Sequence, residues 1–174
     1  MTNIKTYDDF LLEAKAVGVL YHFTTPRGLR GILEYDEMTS AHGAISFTRN
    51  FDLRSWAKTF GAYCRITFDG DEMSNKFRFA PYLFDPEKDP VLQMPHVDVK
   101  SRRAQFGEEQ EERIVKNTIS NIKRYILQVD VLDSAMKSKE MMAISKVEMA
   151  NSGIPFNHVT KFEPYRTQVY VQAA

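Results

Sequence analysis

The sequence predicts an α+β domain in which two packed, mainly antiparallel sheets of short strands are flanked by helices. Short β-rich runs dominate the middle and the end of the chain, while helical patterns cluster early and occur once late. The sequence lacks the regular strand–helix alternation and the glycine-rich phosphate loops of doubly wound proteins. With 174 residues, 43% of them hydrophobic, the chain is expected to form a single domain over residues 1–174.

Helical spacing of apolar residues predicts four helices, at residues 6–17, 26–34, 51–60 and 134–150. Gly18 is expected to end the first of them. In the second, Thr25 can cap the helix and Pro26 can occupy its first turn. These capping residues make the second helix the best defined of the four.

Runs of β-branched and aromatic residues, several of them alternating with polar ones, predict strands at residues 19–23, 44–48, 63–68, 112–118, 124–131, 156–162 and 167–171. Asp69-Gly70 is a turn signal. Ser120-Asn121 is expected to join the strands on either side of it into a pair. Four prolines predict an extended surface loop over residues 80–103, and long loops in compact domains often carry function. The side chains expected to be mostly buried are those of Tyr21, Phe23, Ile45, Phe47, Ile66, Ile114, Ile126 and Val129.

Charge and cysteine content restrict the function classes. Lys plus Arg and Asp plus Glu number 23 each, so the formal net charge is zero and no global basic field gathers nucleic acid. The single cysteine, Cys64, excludes an intramolecular disulfide and fits a core position. Without an apolar signal core or a long apolar run, we expect a soluble, cytoplasmic protein with no membrane contact. We also expect a monomer.

Three segments place polar side chains within or at the end of an apolar strand: Leu20-Tyr21-His22-Phe23-Thr24, Ile45-Ser46-Phe47-Thr48-Arg49 and Gln110-Glu111-Glu112-Arg113-Ile114-Val115. Alternation puts His22 on the face opposite its two aromatic neighbours. It also puts Ser46 and Thr48 on one face of their strand. Each segment alone has a plain structural interpretation, as a buried histidine, a polar edge strand or a solvated acidic face.

In this order the three segments resemble the signature of diphtheria-toxin-like and DarT-like ADP-ribosyltransferases. That signature has an early strand with His or Arg, a second with Ser or Thr, and a third opened by Glu. The family's third motif, Gln-x-Glu or Glu-x-Glu before an apolar strand, matches Gln110-Glu111-Glu112. The second segment reads Ser-Phe-Thr where the family has Ser-Thr-Ser. Glu109-Gln110-Glu111 offers a competing frame, shifted by one residue.

The resemblance implies an NAD-dependent ADP-ribosyltransferase with the ADP-ribosyltransferase-like fold, NAD as its substrate and no metal. Glu112 would be the catalytic carboxylate, and His22 would hold the nicotinamide ribose. A carboxylate near that ribose stabilises the oxocarbenium-like transition state formed when nicotinamide leaves. The remaining contacts to NAD would come from Phe23, Thr24, Ser46, Thr48 and Arg49.

The acceptor is expected to be a macromolecule, either a protein or a nucleic acid. Gln110, two residues before Glu112, would contact it, together with the basic residues Arg102 and Arg103. The resemblance also implies a role in phage–host conflict or a toxin system, acting in the host cytoplasm if the protein is phage-encoded. The alternative is a binding module of the same fold with a decayed site, which recognises a nucleotide or a host protein without turnover.

Overall fold

The computed structural model describes residues 17–40, 43–53, 60–81, 111–133 and 136–166. Its elements are, in chain order, β1 (Val19–Thr24), α1 (Pro26–Tyr35), β2 (Glu37–Thr39), β3 (Ile45–Thr48), β4 (Cys64–Asp69), α2 (Gly70–Ser74), β5 (Phe79–Pro81), β6 (Glu111–Ile114), β7 (Thr118–Ser120), a 3-10 helix (Lys123–Tyr125), β8 (Ile126–Leu132), α3 (Ser138–Ala150) and β9 (Phe156–Val159). The predicted strand at 167–171 and nearly all of the predicted helix at 6–17 and loop at 80–103 lie outside the described residues. So does most of the predicted helix at 51–60.

Two sheets organise the described part of the chain. The larger has seven strands in the order β5-β6-β3-β1-β4-β8-β9, and the smaller pairs β2 with β7. Every pairing is antiparallel except that of β8 with β9. Met38 and Ile119 face each other across the small sheet and join the main core. The predicted α+β class with two packed, mainly antiparallel sheets is therefore confirmed.

The large sheet has an apolar cluster on each face. On one, which we call the front face, Leu20, Phe47 and Ile66 pack with Leu29 of α1 and Ile144 of α3 in the main core. On the other, the back face, a smaller cluster contains Tyr21, Phe23, Leu53, Ala62 and Phe162. Seven of the eight side chains predicted to be buried are buried, and the eighth, Ile126, is partly buried and packs against the main core.

Helix α1 forms as its capping residues predict. The Gly28 N–H donates to Thr25 Oγ1 at 3.1 Å, and Pro26 opens the first turn. Asp36 ends the helix in the left-handed region at φ 53°, with its N–H donating to the Ile32 carbonyl. None of the helices in the described ranges is long and apolar enough to cross a membrane.

Three local expectations are corrected by the structure. The strand pair predicted at 112–118 and 124–131 does not form, because β6 pairs with β3 and β5, β7 with β2, and β8 with β4 and β9. Asp69-Gly70 opens a helix instead of a hairpin turn, since Asp69 Oδ1 accepts the Glu72 N–H at 2.8 Å and caps α2. The late helix begins at Ser138, four residues after the predicted Ser134.

Candidate active site

His22, Phe47 and Glu112 lie side by side on three neighbouring strands. Tyr21 of β1 is opposite Thr48 of β3, which places His22 opposite Phe47, and Phe47 is opposite Glu112 of β6. Residues directly opposite each other point to the same side of a sheet, here the front face. The rings of His22 and Phe47 are 6.2 Å apart. Two strand spacings put the Cα atoms of His22 and Glu112 about 10 Å apart.

Burial favours the neutral form of the His22 ring, and one hydrogen bond defines its tautomer. Burial lowers its pKa below 6.5, and the hydrogen bond to the Ser46 carbonyl opposes this in part. The Nδ1 atom lies 3.0 Å from that carbonyl oxygen, which can only accept, so Nδ1 carries the proton. The second ring nitrogen, Nε2, is then an acceptor that can receive a hydrogen bond from a hydroxyl group.

Glu112 is paired with Arg49, which directly follows β3. Arg49 Nε donates to Glu112 Oε1 at 2.9 Å. The Glu112 side chain is 16% exposed and that of Arg49 is 42% exposed, so the carboxylate is shielded while the guanidinium faces solvent. A carboxylate held by a directed, charged donor has a fixed orientation, which a preorganised site requires.

Strand alternation separates the other candidate residues. Thr24 shares the His22 side of β1, and its hydroxyl lies against Gly28 at the start of α1. Phe23, Ser46 and Thr48 occupy back-face positions, so the structure does not bring their side chains together with those of His22 and Glu112.

Each of these back-face residues has contacts of its own. The Phe23 ring packs edge-on against Phe162 at 5.3 Å, and Thr48 Oγ1 accepts the Asn50 N–H at 2.9 Å. Ser46 contributes to the site through its backbone carbonyl, which binds His22. Both motif hydroxyls are therefore on the opposite side of the sheet from Glu112.

The residues expected to bind the acceptor, Gln110, Arg102 and Arg103, lie outside the described ranges. Glu111, the glutamate of the competing motif frame, is opposite Thr48 in the β3–β6 register.

Cys64 is fully buried, and burial, with the nearby Glu140 charge, raises the pKa of its thiol to about 12. A thiol in that state is a core residue and not a nucleophile.

A buried ion pair on the back face was missed at the level of sequence. Arg65 Nη2 and Asp130 Oδ2 are 2.6 Å apart, with the two side chains 2% and 3% exposed. The two residues are directly opposite each other on β4 and β8. The sequence does contain a signal for this pair, namely opposite charges within two central apolar strands, because such charges are buried only when paired. No group of three or more His, Cys, Asp or Glu suited to a metal occurs in the ranges that the structure covers.

No protein-family model matches this chain, and no curated protein is similar to it in sequence. Among solved structures, it is similar to Thermus sp. 2.9 DarT in complex with NAD+, with a TM-score of 0.51 and 11% sequence identity over 82% of this chain and 95% of that chain. The same DarT in complex with carba-NAD+ gives a TM-score of 0.48 at 12% identity, over 81% and 94% of the two chains. This chain therefore has the fold of DarT, an ADP-ribosyltransferase, as its three sequence motifs implied.

Proposed function

We propose that this protein is an NAD-dependent ADP-ribosyltransferase that modifies a macromolecular acceptor, a protein or a nucleic acid. The observation that carries the proposal is the front-face row of His22, Phe47 and Glu112, with the Glu112 carboxylate oriented by Arg49. The fold shared with DarT, whose structure contains NAD+, supports NAD as the substrate.

In the proposed reaction, the bond between nicotinamide and C1′ of its ribose breaks, and nicotinamide leaves as a neutral base. Positive charge then develops on the ribose, and the Glu112 carboxylate stabilises it. His22 Nε2 accepts a hydrogen bond from a ribose hydroxyl and orients the sugar. The acceptor nucleophile forms the new bond to C1′ and releases its proton to Glu112 or to solvent.

Arg49 has two partners available in this scheme. In the free protein it pairs with Glu112, and its 42% exposed side chain is also accessible to a phosphate of NAD. A guanidinium that bridges the catalytic carboxylate and the diphosphate would hold both in one geometry. Arg49→Lys, which keeps the charge but loses the planar fork, is expected to raise the KM for NAD.

The substitution Glu112→Gln tests the proposed function. It keeps the shape of the side chain and removes the charge that stabilises the transition state. We expect NAD turnover, measured by nicotinamide release and by transfer of label from NAD, to fall by about two to three orders of magnitude. NAD affinity and melting temperature should change little.

Glu111→Gln is the matched control, because it changes the neighbouring glutamate of the competing motif frame. It is expected to be nearly silent. The reverse pattern, with Glu111→Gln inactive and Glu112→Gln active, would assign catalysis to the shifted frame. NAD binding without turnover by the wild-type protein, in the presence of any cell extract, would favour the binding module instead.

A further inference from the structure

The five residues that follow β3, residues 49–53, join the two faces of the large sheet, and we call them the Arg49 loop. At its start, the Arg49 side chain reaches the front face and binds Glu112. Further along, Phe51 and Leu53 pack with the apolar cluster on the back face. The loop therefore links the candidate catalytic carboxylate to residues on the opposite side of the sheet.

Short-range hydrogen bonds define the path of this loop. Thr48 Oγ1 accepts the Asn50 N–H at 2.9 Å, and Asn50 Oδ1 accepts the Asp52 N–H at 3.0 Å. Each is a side-chain cap on a backbone N–H two residues later, a pattern that fixes the direction of a turn. The first of these bonds spans Arg49, and the second continues the turn to Asp52.

Arg65 anchors the same loop from the back face. Its Nη1 atom donates to the Phe51 carbonyl at 2.6 Å, and Nη2 donates to the Glu163 carbonyl at 2.7 Å. The Nε and Nη2 atoms donate to Asp130 Oδ2 at 3.1 and 2.6 Å. One buried guanidinium thus joins β8, the segment that follows β9 and the Arg49 loop.

The surroundings hold this guanidinium in place. Its central carbon lies 4.8 Å from the centroid of the Tyr21 ring and 4.9 Å from that of Phe162. Asp130 in turn accepts hydrogen bonds from Gln128 and Asn157. A buried ion pair adds little stability compared with a well-packed apolar pair. The distinctive contribution of Arg65 is its directed hydrogen bonds to two separate backbone segments.

We propose that Arg65 is a positioning residue for the transferase site: through the Phe51 carbonyl it fixes the Arg49 loop and so places Arg49 against Glu112. The inference rests on the proposed function for its effect on catalysis. Its structural part, the coupling of a back-face cation to a front-face ion pair, is independent of any activity. Lysine cannot replace Arg65 in this role, because one ammonium cannot reach a carboxylate and two carbonyls lying in different directions.

Two variants test the proposal, one at Arg65, which binds the loop at Phe51, and one at Thr48, which directly precedes the loop. Arg65→Lys keeps the buried charge and removes the donor fork, and Thr48→Val keeps the shape and removes the acceptor for Asn50. Asn157→Ala is the matched control, since it removes a hydrogen bond to Asp130 without touching the loop. Thr48→Ser, which retains the hydroxyl, should give the same Arg49 signal as the wild-type protein.

The first readout needs no substrate. The Nε–H signal of Arg49 in a nitrogen-15 NMR spectrum is assigned by its loss in Arg49→Ala. We expect Arg65→Lys and Thr48→Val to shift this signal towards that of a solvent-exposed arginine and to speed hydrogen exchange at the Asn50 and Asp52 amides. Asn157→Ala should leave both unchanged. If Arg65→Lys does not fold, Asp130→Asn takes its place, because it keeps the shape of residue 130 and weakens the hold on Arg65. It is then expected to shift the Arg49 signal in the same direction, while Thr48→Val and Thr48→Ser test the loop itself.

The second readout is NAD turnover. Arg65→Lys is expected to lower kcat about tenfold to a hundredfold, as a misplaced site residue does, and to have no further effect in an Arg49→Ala background. Losses that add in the double variant, or an unchanged Arg49 signal in the folded single variants, would overturn the proposal. A wild-type protein without turnover would refute the proposed function alone, leaving the NMR result to decide the coupling.

Discussion

At the scale of single residues, the hydrogen bonding of the candidate site depends on the protonation state of His22. His22 donates from Nδ1 to the Ser46 carbonyl and presents an unprotonated Nε2. Its lowered pKa means that the ring is less than half protonated at pH 6.5, where an exposed histidine is half protonated. A protonated ring would turn the acceptor into a donor and place a positive charge beside the pyridinium of NAD.

This protonation state predicts how NAD binding depends on pH. We expect the affinity for NAD, measured by calorimetry between about pH 5 and pH 8, to fall with acidification and to have the midpoint of that fall below pH 6.5. His22→Gln removes the titrating ring. Whatever the absolute affinity of this variant for NAD, the part of the fall that comes from His22 should be absent. A decline centred above pH 6.5 in the wild-type protein would contradict the lowered pKa of this ring.

At the scale of elements, residues with strong local preferences could be predicted and long-range partners could not. Thr25 and Pro26 define the start of α1, and alternation defines β1, β3 and β4. Asp69-Gly70 has the residue types of a hairpin turn, but the Asp69 side chain caps a helix. Pairing of β6 with β3 depends on residues far apart in the chain, which local patterns do not encode.

Helix α2 illustrates a contact that only the packing shows. Gly70, its first residue, is buried, and a Cβ there would overlap the Gly18 carbonyl oxygen. The Gly18 N–H is itself held by Asp71 Oδ1 at 2.8 Å, so the backbone cannot easily retreat. We expect Gly70→Ala to lower the free energy of unfolding by about 1–3 kcal/mol, as overpacking does, in urea denaturation.

Gly31→Ala is the matched control for this prediction. Gly31 lies inside α1, and a Cβ there would meet nothing within 4 Å. Alanine in an open helix position is expected to raise the free energy of unfolding by about 0.5–1 kcal/mol, because it restricts the unfolded chain. Equal effects of the two substitutions would show that crowding at Gly70 is relieved by movement of α2.

At the scale of the whole molecule, the two faces of the large sheet carry different parts of the proposed mechanism. The motif order indicated His22 and Glu112, and the structure places both on the front face. Alternation alone separates Phe23 from His22, but it does not show that Ser46 and Thr48 turn to the same back face, where Arg65 and Asp130 lie buried. Which face of a strand is covered by helices depends on the assembled fold, so local alternation alone cannot supply it.

A second histidine makes the stability of the whole fold depend on pH. His158 of β9 lies with Nδ1 2.7 Å from Asp133 Oδ1 and Nε2 3.1 Å from Glu148 Oε2, joining the end of β8 to α3. Hydrogen bonds to Asp133 and then to Glu148 raise its pKa above 6.5. Because the folded protein binds this proton more tightly than the unfolded chain, the stabilisation is complete below pH 6.5 and is lost as pH rises through the raised pKa.

His158→Gln should remove this contribution. The three side chains are 33%, 41% and 37% exposed, so we expect a loss of only about 0.2–1 kcal/mol in the free energy of unfolding at low pH. The difference between the wild-type protein and the variant should shrink as pH rises above 6.5, because the neutral ring donates to one carboxylate only. His22 acts in the opposite direction, since its lowered pKa destabilises the fold below pH 6.5. This effect is the same in both proteins and therefore cancels from the comparison. Urea denaturation of both proteins across this range measures the difference, and a value independent of pH would show that His158 is not charged between its two carboxylates.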